Sequence, residues 1–267
     1  MARIFCIANQ KGGVGKTTTT VNLAAGLAQI GQRVLMVDLD PQGNATMGSG
    51  VDKRTLALSV YDVLLESASV AQARVQSPKL IEAGCGYDVL GANRELAGAE
   101  IEMVSLERRD KRLQQALALV ASDYDFILID CPPSLSLLTL NGLCCAHGVI
   151  VPMQCEYFAL EGVTDLVHTI KQVRANLNPA LSIIGLLRVM FDARTTLQQQ
   201  VSEQLRAHFG DQVFNTPIPR NVRLAEAPSH GVPGVVFDPA SKGAQAFVAF
   251  ARELLERVTP NNHQIGV

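Results

Sequence analysis

The sequence carries almost no surplus of charge. Its formal net charge is −2, with 13 basic and 15 acidic side chains in residues 1–150 and 10 of each in residues 151–267. Neither half is basic, so nucleic-acid binding does not follow from net charge and has to come from a local patch. The six cysteines include no C-x-x-C pair and no metal-type spacing. Several lie in apolar runs, where a free thiol behaves as a small buried hydrophobe, and such cysteines imply a reducing compartment. No uninterrupted run of about 18 apolar residues exists, so no membrane-spanning helix is expected. Residue 3 onward already reads as a strand, without a charged and then apolar leader, so no signal peptide is expected. Repeats and low-complexity linkers are absent as well.

What is present is a chain of 267 residues, 48% hydrophobic, enough to bury a large core. The stretch around which the rest is organised is I-F-C-I-A-N-Q-K-G-G-V-G-K-T-T, residues 4–18. A short apolar run breaks into glycines, and helical periodicity begins at Lys16 and Thr17. Strand, glycine loop and helix in that order form a phosphate site. Glycines let successive N–H groups point at one anion, and the helix adds the positive end of its dipole. Lys16 is placed to reach the β- and γ-phosphates, and the Thr17 hydroxyl to ligate Mg²⁺. Gly12, Gly13, Val14, Gly15 and Thr18 complete the loop. The usual G-x-x-x-x-G-K-[ST] pattern is altered: Gln10 replaces the first glycine, and a second lysine, Lys11, opens the loop.

A second strand over residues 33–38 ends in V-D-L-D-P-Q-G-N, which puts Asp38 and Asp40 at the sheet edge where parallel α/β proteins bind ligands. Standing at i and i+2, the two carboxylates share one side of an extended chain and can both face the metal and γ-phosphate. The run Y-D-F-I-L-I-D-C-P-P-S, residues 124–134, is an apolar strand ending in Asp130, a carboxylate placed to hold Mg²⁺. The Cys131-Pro132-Pro133-Ser134 turn after it is stiff and suits a γ-phosphate-sensing switch. Further strands are expected at 87–90, 147–152 and 181–189. Helices are expected at 15–29, 58–66, 109–121, 159–177, 195–209 (capped around Asp192) and 241–258, with Glu156 and Glu161 near the start of the fourth. The basic run at 108–112 reads as a solvated helix start, and residues 216–231 are rich in turns. Strands alternating with helices predict an α/β fold, a doubly wound, mostly parallel sheet covered on both faces. One domain is expected over 1–258, followed by a polar tail over 259–267.

K-G-G-V-G-K-T-T resembles the deviant Walker A motif of the MinD/ParA class of P-loop NTPases. Together with V-D-L-D-P-Q-G-N-A-T, the strand ending at Asp130, E-Y-F-A-L-E-G at 156–162 and I-P-R-N-V-R-L-A-E-A-P-S-H-G at 218–231, it makes nearly the whole chain similar to ParA/Soj partitioning ATPases. The last segment discriminates most, and the DNA-reading N-terminal extension of some plasmid members is not expected here. The resemblance implies a slow, partner-stimulated ATP hydrolase with ATP/ADP and Mg²⁺ as cofactors, and a homodimer in the ATP state. Lys11 of each subunit would cross to the other's phosphates. Asp40 would position the attacking water, and Thr17, Asp38 and Asp130 would hold Mg²⁺. Met190, Pro219 and Asn221 match adenine contacts. Arg194 and Arg223 match residues through which the ATP dimer holds double-stranded DNA without sequence preference. A ParB-type partner would stimulate hydrolysis, and the protein would be cytoplasmic and nucleoid-associated, serving a chromosome or plasmid.

Three other readings compete. A MinD-like, membrane-directed division-site ATPase would need an amphipathic C-terminal helix with a basic polar face. Residues 247–258 do carry an apolar face, but Arg252, Glu253, Glu256 and Arg257 balance each other, which suits a core-packing helix. An iron–sulfur relative would use Cys85 or Cys131, yet Cys131 precedes two prolines in the partition-type switch. A nucleotide-gated scaffold would lack significant hydrolysis, and ATPase assays with DNA and partner separate it.

Overall fold

A computed structural model describes residues 1–259. Most of the expected polar tail, residues 260–267, lies outside the described residues. Seven strands form one sheet: β1 (Arg3–Ile7), β2 (Val34–Asp38), β3 (Val75–Gln76), β4 (Asp88–Leu90), β5 (Phe126–Asp130), β6 (Gly148–Met153) and β7 (Ser182–Arg188). Their order is β3-β4-β2-β5-β1-β6-β7. All neighbours are parallel except β3 with β4.

Every residue of β2, β5 and β6 is buried. Alternate side chains feed two separate cores, Ile4 and Cys6 on one face, Phe5 and Ile7 on the other. Both faces are roofed, which is why the strands read as continuous apolar runs rather than alternating ones. Each fully buried Leu, Ile or Phe contributes roughly 1.5–3 kcal/mol to that double core.

The Lys16–Gln29 helix carries the second face, packed against the last helix, Lys242–Val258. The two axes come close because residue 26 is glycine: a Cβ there would stand 3.2 Å from Ala251 Cβ. Phe247, Phe250, Ala251 and Leu254 of the last helix are buried, and Val248, Leu255 and Val258 pack partly buried beside them. Its apolar face is therefore occupied by the core, as the core-packing reading expects. Among the described residues no helix is long and apolar enough to cross a membrane.

Several expectations are corrected. Residues 44–103 hold short helices at Asn44–Gly48, Val70–Ala73, Pro78–Glu82 and Leu96–Met103 that have too few turns to show a period. The expected 58–66 and 109–121 helices shrink to Val60–Leu64 and Arg112–Ala118. A helix at Leu137–Cys145 was not anticipated. Asp192 does not cap the Thr196–Phe209 helix, whose N-cap is Thr195 without a side-chain bond. Arg194, two residues on, takes the Asp192 carboxylate instead, through its own amide (3.0 Å) and its guanidinium (2.8 Å).

Candidate functional site

The strand order places the C-terminal ends of β1, β2 and β5 side by side. Ile7 is paired with Asp130, and Asp130 with Asp38. The glycine loop leaves β1 at that edge and turns into the Lys16–Gln29 helix. Gly13 and Gly15 have φ of +73° and +76°, a left-handed conformation that side-chain-bearing residues adopt at a cost of about 1 kcal/mol or more. Gly15 is the helix N-cap and supplies no side chain to the first-turn amides, so those N–H groups stay available to an anion. At the position lacking the usual first glycine, Gln10 donates instead to Thr169 Oγ1 of the Ala159–Asn176 helix, 3.1 Å away.

The two lysines are placed differently. Lys16 is 8% exposed, and its Nζ donates to Lys11 O at 3.3 Å. Burial holds its pKa below the usual lysine value, while the nearby Asp130 and Asp40 charges act the other way. The Lys11 side chain, 52% exposed, points out of the loop and pairs with Glu156.

Thr17 Oγ1 donates to Asp130 Oδ2 (2.8 Å), and Thr20 Oγ1, one turn on, donates to Asp130 Oδ1 (2.9 Å). Asp38 is fully buried. Its Oδ2 accepts from Thr46 N and Thr46 Oγ1 at 2.9 and 2.7 Å, and its Oδ1 accepts from Asp40 N at 3.0 Å. Asp38 thus braces the turn that carries Asp40, rather than standing free beside it. Asp40 is half-buried and caps its own turn by accepting from Gln42 N. Burial raises the pKa of Asp38 and Asp130, and Asp38 adds to the rise at Asp130. The desolvated Asp130 carboxylate, with the Thr17 hydroxyl on it, makes an all-oxygen donor pair whose charge a divalent cation would relieve, while the Asp38 oxygens beside it are already taken by Thr46 and Asp40 N. Hard oxygen ligands of this kind fit Mg²⁺.

Next to the loop lies a cleft of about 270 Å³, whose walls include Gly15, Thr19, Met190, Pro219, Asn221 and Phe247. Its apolar lining suits a planar base. The fully buried Thr19 Oγ1 has no hydrogen-bond partner. Met190 adopts φ of +52°, unusual for a non-glycine residue. Met190, Pro219 and Asn221 therefore join the loop residues in one site.

Arg194 and Arg223 are exposed and neither side chain lines the cleft, although Arg223 follows Asn221 and Val222 directly; each is held by carboxylates, Arg194 by Asp192 at 2.8 Å, Arg223 by Glu226 at 2.9 Å and Asp238 at 3.4 Å. Residues that sequence reasoning missed are Asn9, Thr20, Thr46, Gln154 and the cleft walls Val189 and Leu224. Thr20 was legible as the residue one helical turn beyond Thr17. The others act through contacts that no local pattern marks.

Comparison with known proteins agrees with this geometry. The AAA domain family matches residues 2–183. The sporulation initiation inhibitor protein Soj of Bacillus subtilis is 51% identical over 95% of this chain and 98% of its own. The chromosome partitioning protein ParA of Myxococcus xanthus is 47% identical over 98% of this chain and 91% of its own. Among solved structures, a cobyrinic acid a,c-diamide synthase from Mycobacterium smegmatis with bound ADP and magnesium is 41% identical. It superposes with a TM-score of 0.82 over 96% of this chain and 95% of that one.

Proposed function

The chain belongs to the ParA/Soj family of partitioning ATPases, and from that premise we propose that it is an ATP-gated dimerising switch that holds DNA in its ATP state. It takes ATP and ADP with Mg²⁺. The observation that carries the reading is the contrast between its lysines. Lys16 is buried and points into its own loop, whereas Lys11 stands at the outer lip, half-exposed, where a second subunit's phosphates would come. A cation delivered across an interface makes hydrolysis conditional on assembly.

In this reading the first-turn amides and Lys16 bind the β- and γ-phosphates, and the cleft at Met190, Pro219 and Asn221 takes the adenine. Thr17 and Asp130 would hold Mg²⁺, which would supply neutralisation of phosphate charge. Asp38 fixes the turn from which Asp40 positions the attacking water. Lys11 acts in trans on the partner's nucleotide. Arg194 and Arg223 contact the phosphates of double-stranded DNA, and a ParB-type centromere-binding protein accelerates hydrolysis and release. This places the protein on the nucleoid, segregating a chromosome or plasmid.

Each arginine must leave its carboxylate to do so. Exposed pairs are worth about 0–1 kcal/mol, so a polyanion displaces them readily. Arg194→Glu and Arg223→Glu are expected to weaken binding of mixed-sequence duplex while leaving ATP-dependent dimerisation intact. Single arginine-to-alanine changes should lower the slope of log affinity against log salt by about one to two. Titrations over a salt series with ATP, with ADP and without nucleotide test this. If both reversal variants bind DNA like wild type at matched salt, the DNA face lies elsewhere. If wild type ignores DNA in ATP, the switch reading fails.

A further inference from the structure

The end of β6 and the chain leaving it hold the glycine loop and the residue before it at three points. Asn9 Nδ2 donates to Pro152 O at 2.8 Å, Gln154 Nε2 donates to Gly13 O at 3.2 Å, and Lys11 Nζ donates to Glu156 Oε2 at 2.6 Å. The first two contacts set the loop's backbone. The third engages the one loop side chain that faces outward, and engages it with a residue of the same chain.

We propose that Glu156 is a positioning residue that latches Lys11 within its own subunit, so that this ion pair must open before Lys11 can reach a nucleotide held by a second copy of the chain. The inference rests on the switch reading above and concerns what regulates it. A lysine ammonium has three donors and no preferred plane. It can therefore be drawn from a carboxylate to a more highly charged phosphate without rebuilding the loop. Both side chains are about half exposed, 52% and 49%, so the latch is weak and a phosphate displaces it. In the nucleotide-free chain no phosphate competes, and the contact keeps Lys11 turned toward its own β6 exit.

The position of the latch couples it to assembly. Glu156 is followed directly by Tyr157 and Phe158, which are 77% and 68% exposed. Their rings stand edge to face with centroids 5.0 Å apart. Two large aromatic side chains held in water beside the loop are the part of this edge that a second copy gains most by covering. Covering them brings the partner's phosphates to the side on which Lys11 is held.

The test is sedimentation velocity of wild type, Glu156→Gln and Glu156→Ala with Mg²⁺ and a non-hydrolysable ATP analogue. An exposed ion pair changes an equilibrium constant by less than about fivefold. Both variants are therefore expected to dimerise about two- to fivefold more tightly than wild type at ~0.1 M salt. The gap should close toward ~1 M salt, where the Debye length falls to about 3 Å; a purely structural role for Glu156 would not produce that salt dependence. Dimers of Glu156→Gln and Glu156→Ala that are unchanged or weaker than a dimerising wild type overturn the latch alone. Wild type that stays monomeric with the analogue overturns the switch reading, and the latch with it.

Discussion

Lys16→Ala is expected to lower ATP affinity at least ~100-fold and to abolish dimerisation and hydrolysis with it. Lys16 is nearly buried and its ammonium finds only the Lys11 carbonyl at 3.3 Å. An under-solvated cation of this kind gains more from a phosphate than an exposed lysine does. Charge-assisted hydrogen bonds contribute about 1.5–3 kcal/mol each, so contacts to two phosphates amount to roughly 3 kcal/mol or more. Truncation should leave the fold intact, because the loop is set by Gly13, Gly15 and Asn9 and the helix by its packing on Lys242–Val258. Calorimetry with a non-hydrolysable analogue checks the prediction, and wild-type affinity in the variant would show that the loop does not hold the phosphates. Lys11→Ala is the matched comparison. Its side chain points away from its own loop, so nucleotide affinity of the monomer should change by less than about threefold. Dimerisation and hydrolysis should be lost. If Lys11→Ala binds nucleotide as poorly as Lys16→Ala, the outer lysine acts in cis.

Asp40→Ala should separate binding from chemistry. Asp40 lies on a turn whose backbone is braced from behind: Asp38 accepts from Asp40 N and from Thr46, and Thr46 Oγ1 accepts from Ala92 N at 2.9 Å. Deleting the Asp40 carboxylate removes only its own bond to Gln42 N. The nucleotide site should persist, with affinity for ATP and Mg²⁺ within about threefold of wild type. Positioning or deprotonating an attacking water contributes about 10²–10⁴-fold to a rate, and hydrolysis should fall by that factor. An ATP dimer that forms but does not turn over should then accumulate, visible as a persistent dimer on chromatography with ATP. Single-turnover hydrolysis at the wild-type rate would remove Asp40 from the water-positioning role. A variant that stays monomeric would show that the turn supports assembly instead.

The phosphate loop was legible in the sequence because its chemistry is contiguous. Left-handed glycines, the outward lysine, the inward lysine and the threonine that meets Asp130 all fall between residues 11 and 17 of one strand–turn–helix. Asp130 was legible because a strand buried on both faces is a continuous apolar run, and a carboxylate ending such a run is conspicuous. Short apolar runs alternating with helices made β1, β2, β5, β6 and β7 recognisable as parallel strands. Tertiary structure alone decided what those groups touch. Asp38 and Asp40 share one side of the chain at i and i+2 and both were expected near the phosphates, but Thr46 claims Asp38 as a buried brace, because the chain turns back at Gly43 toward the β2 edge. Gln154 and Glu156 reach the loop across more than 140 residues of sequence because β6 lies beside β1, and strand order is set by how helices roof the sheet rather than by any local pattern. The cleft beside the loop is likewise assembled from the first helix, the chain after β7, the 218–225 segment and Phe247 of the last helix, four segments that carry no shared signal until the sheet brings them together.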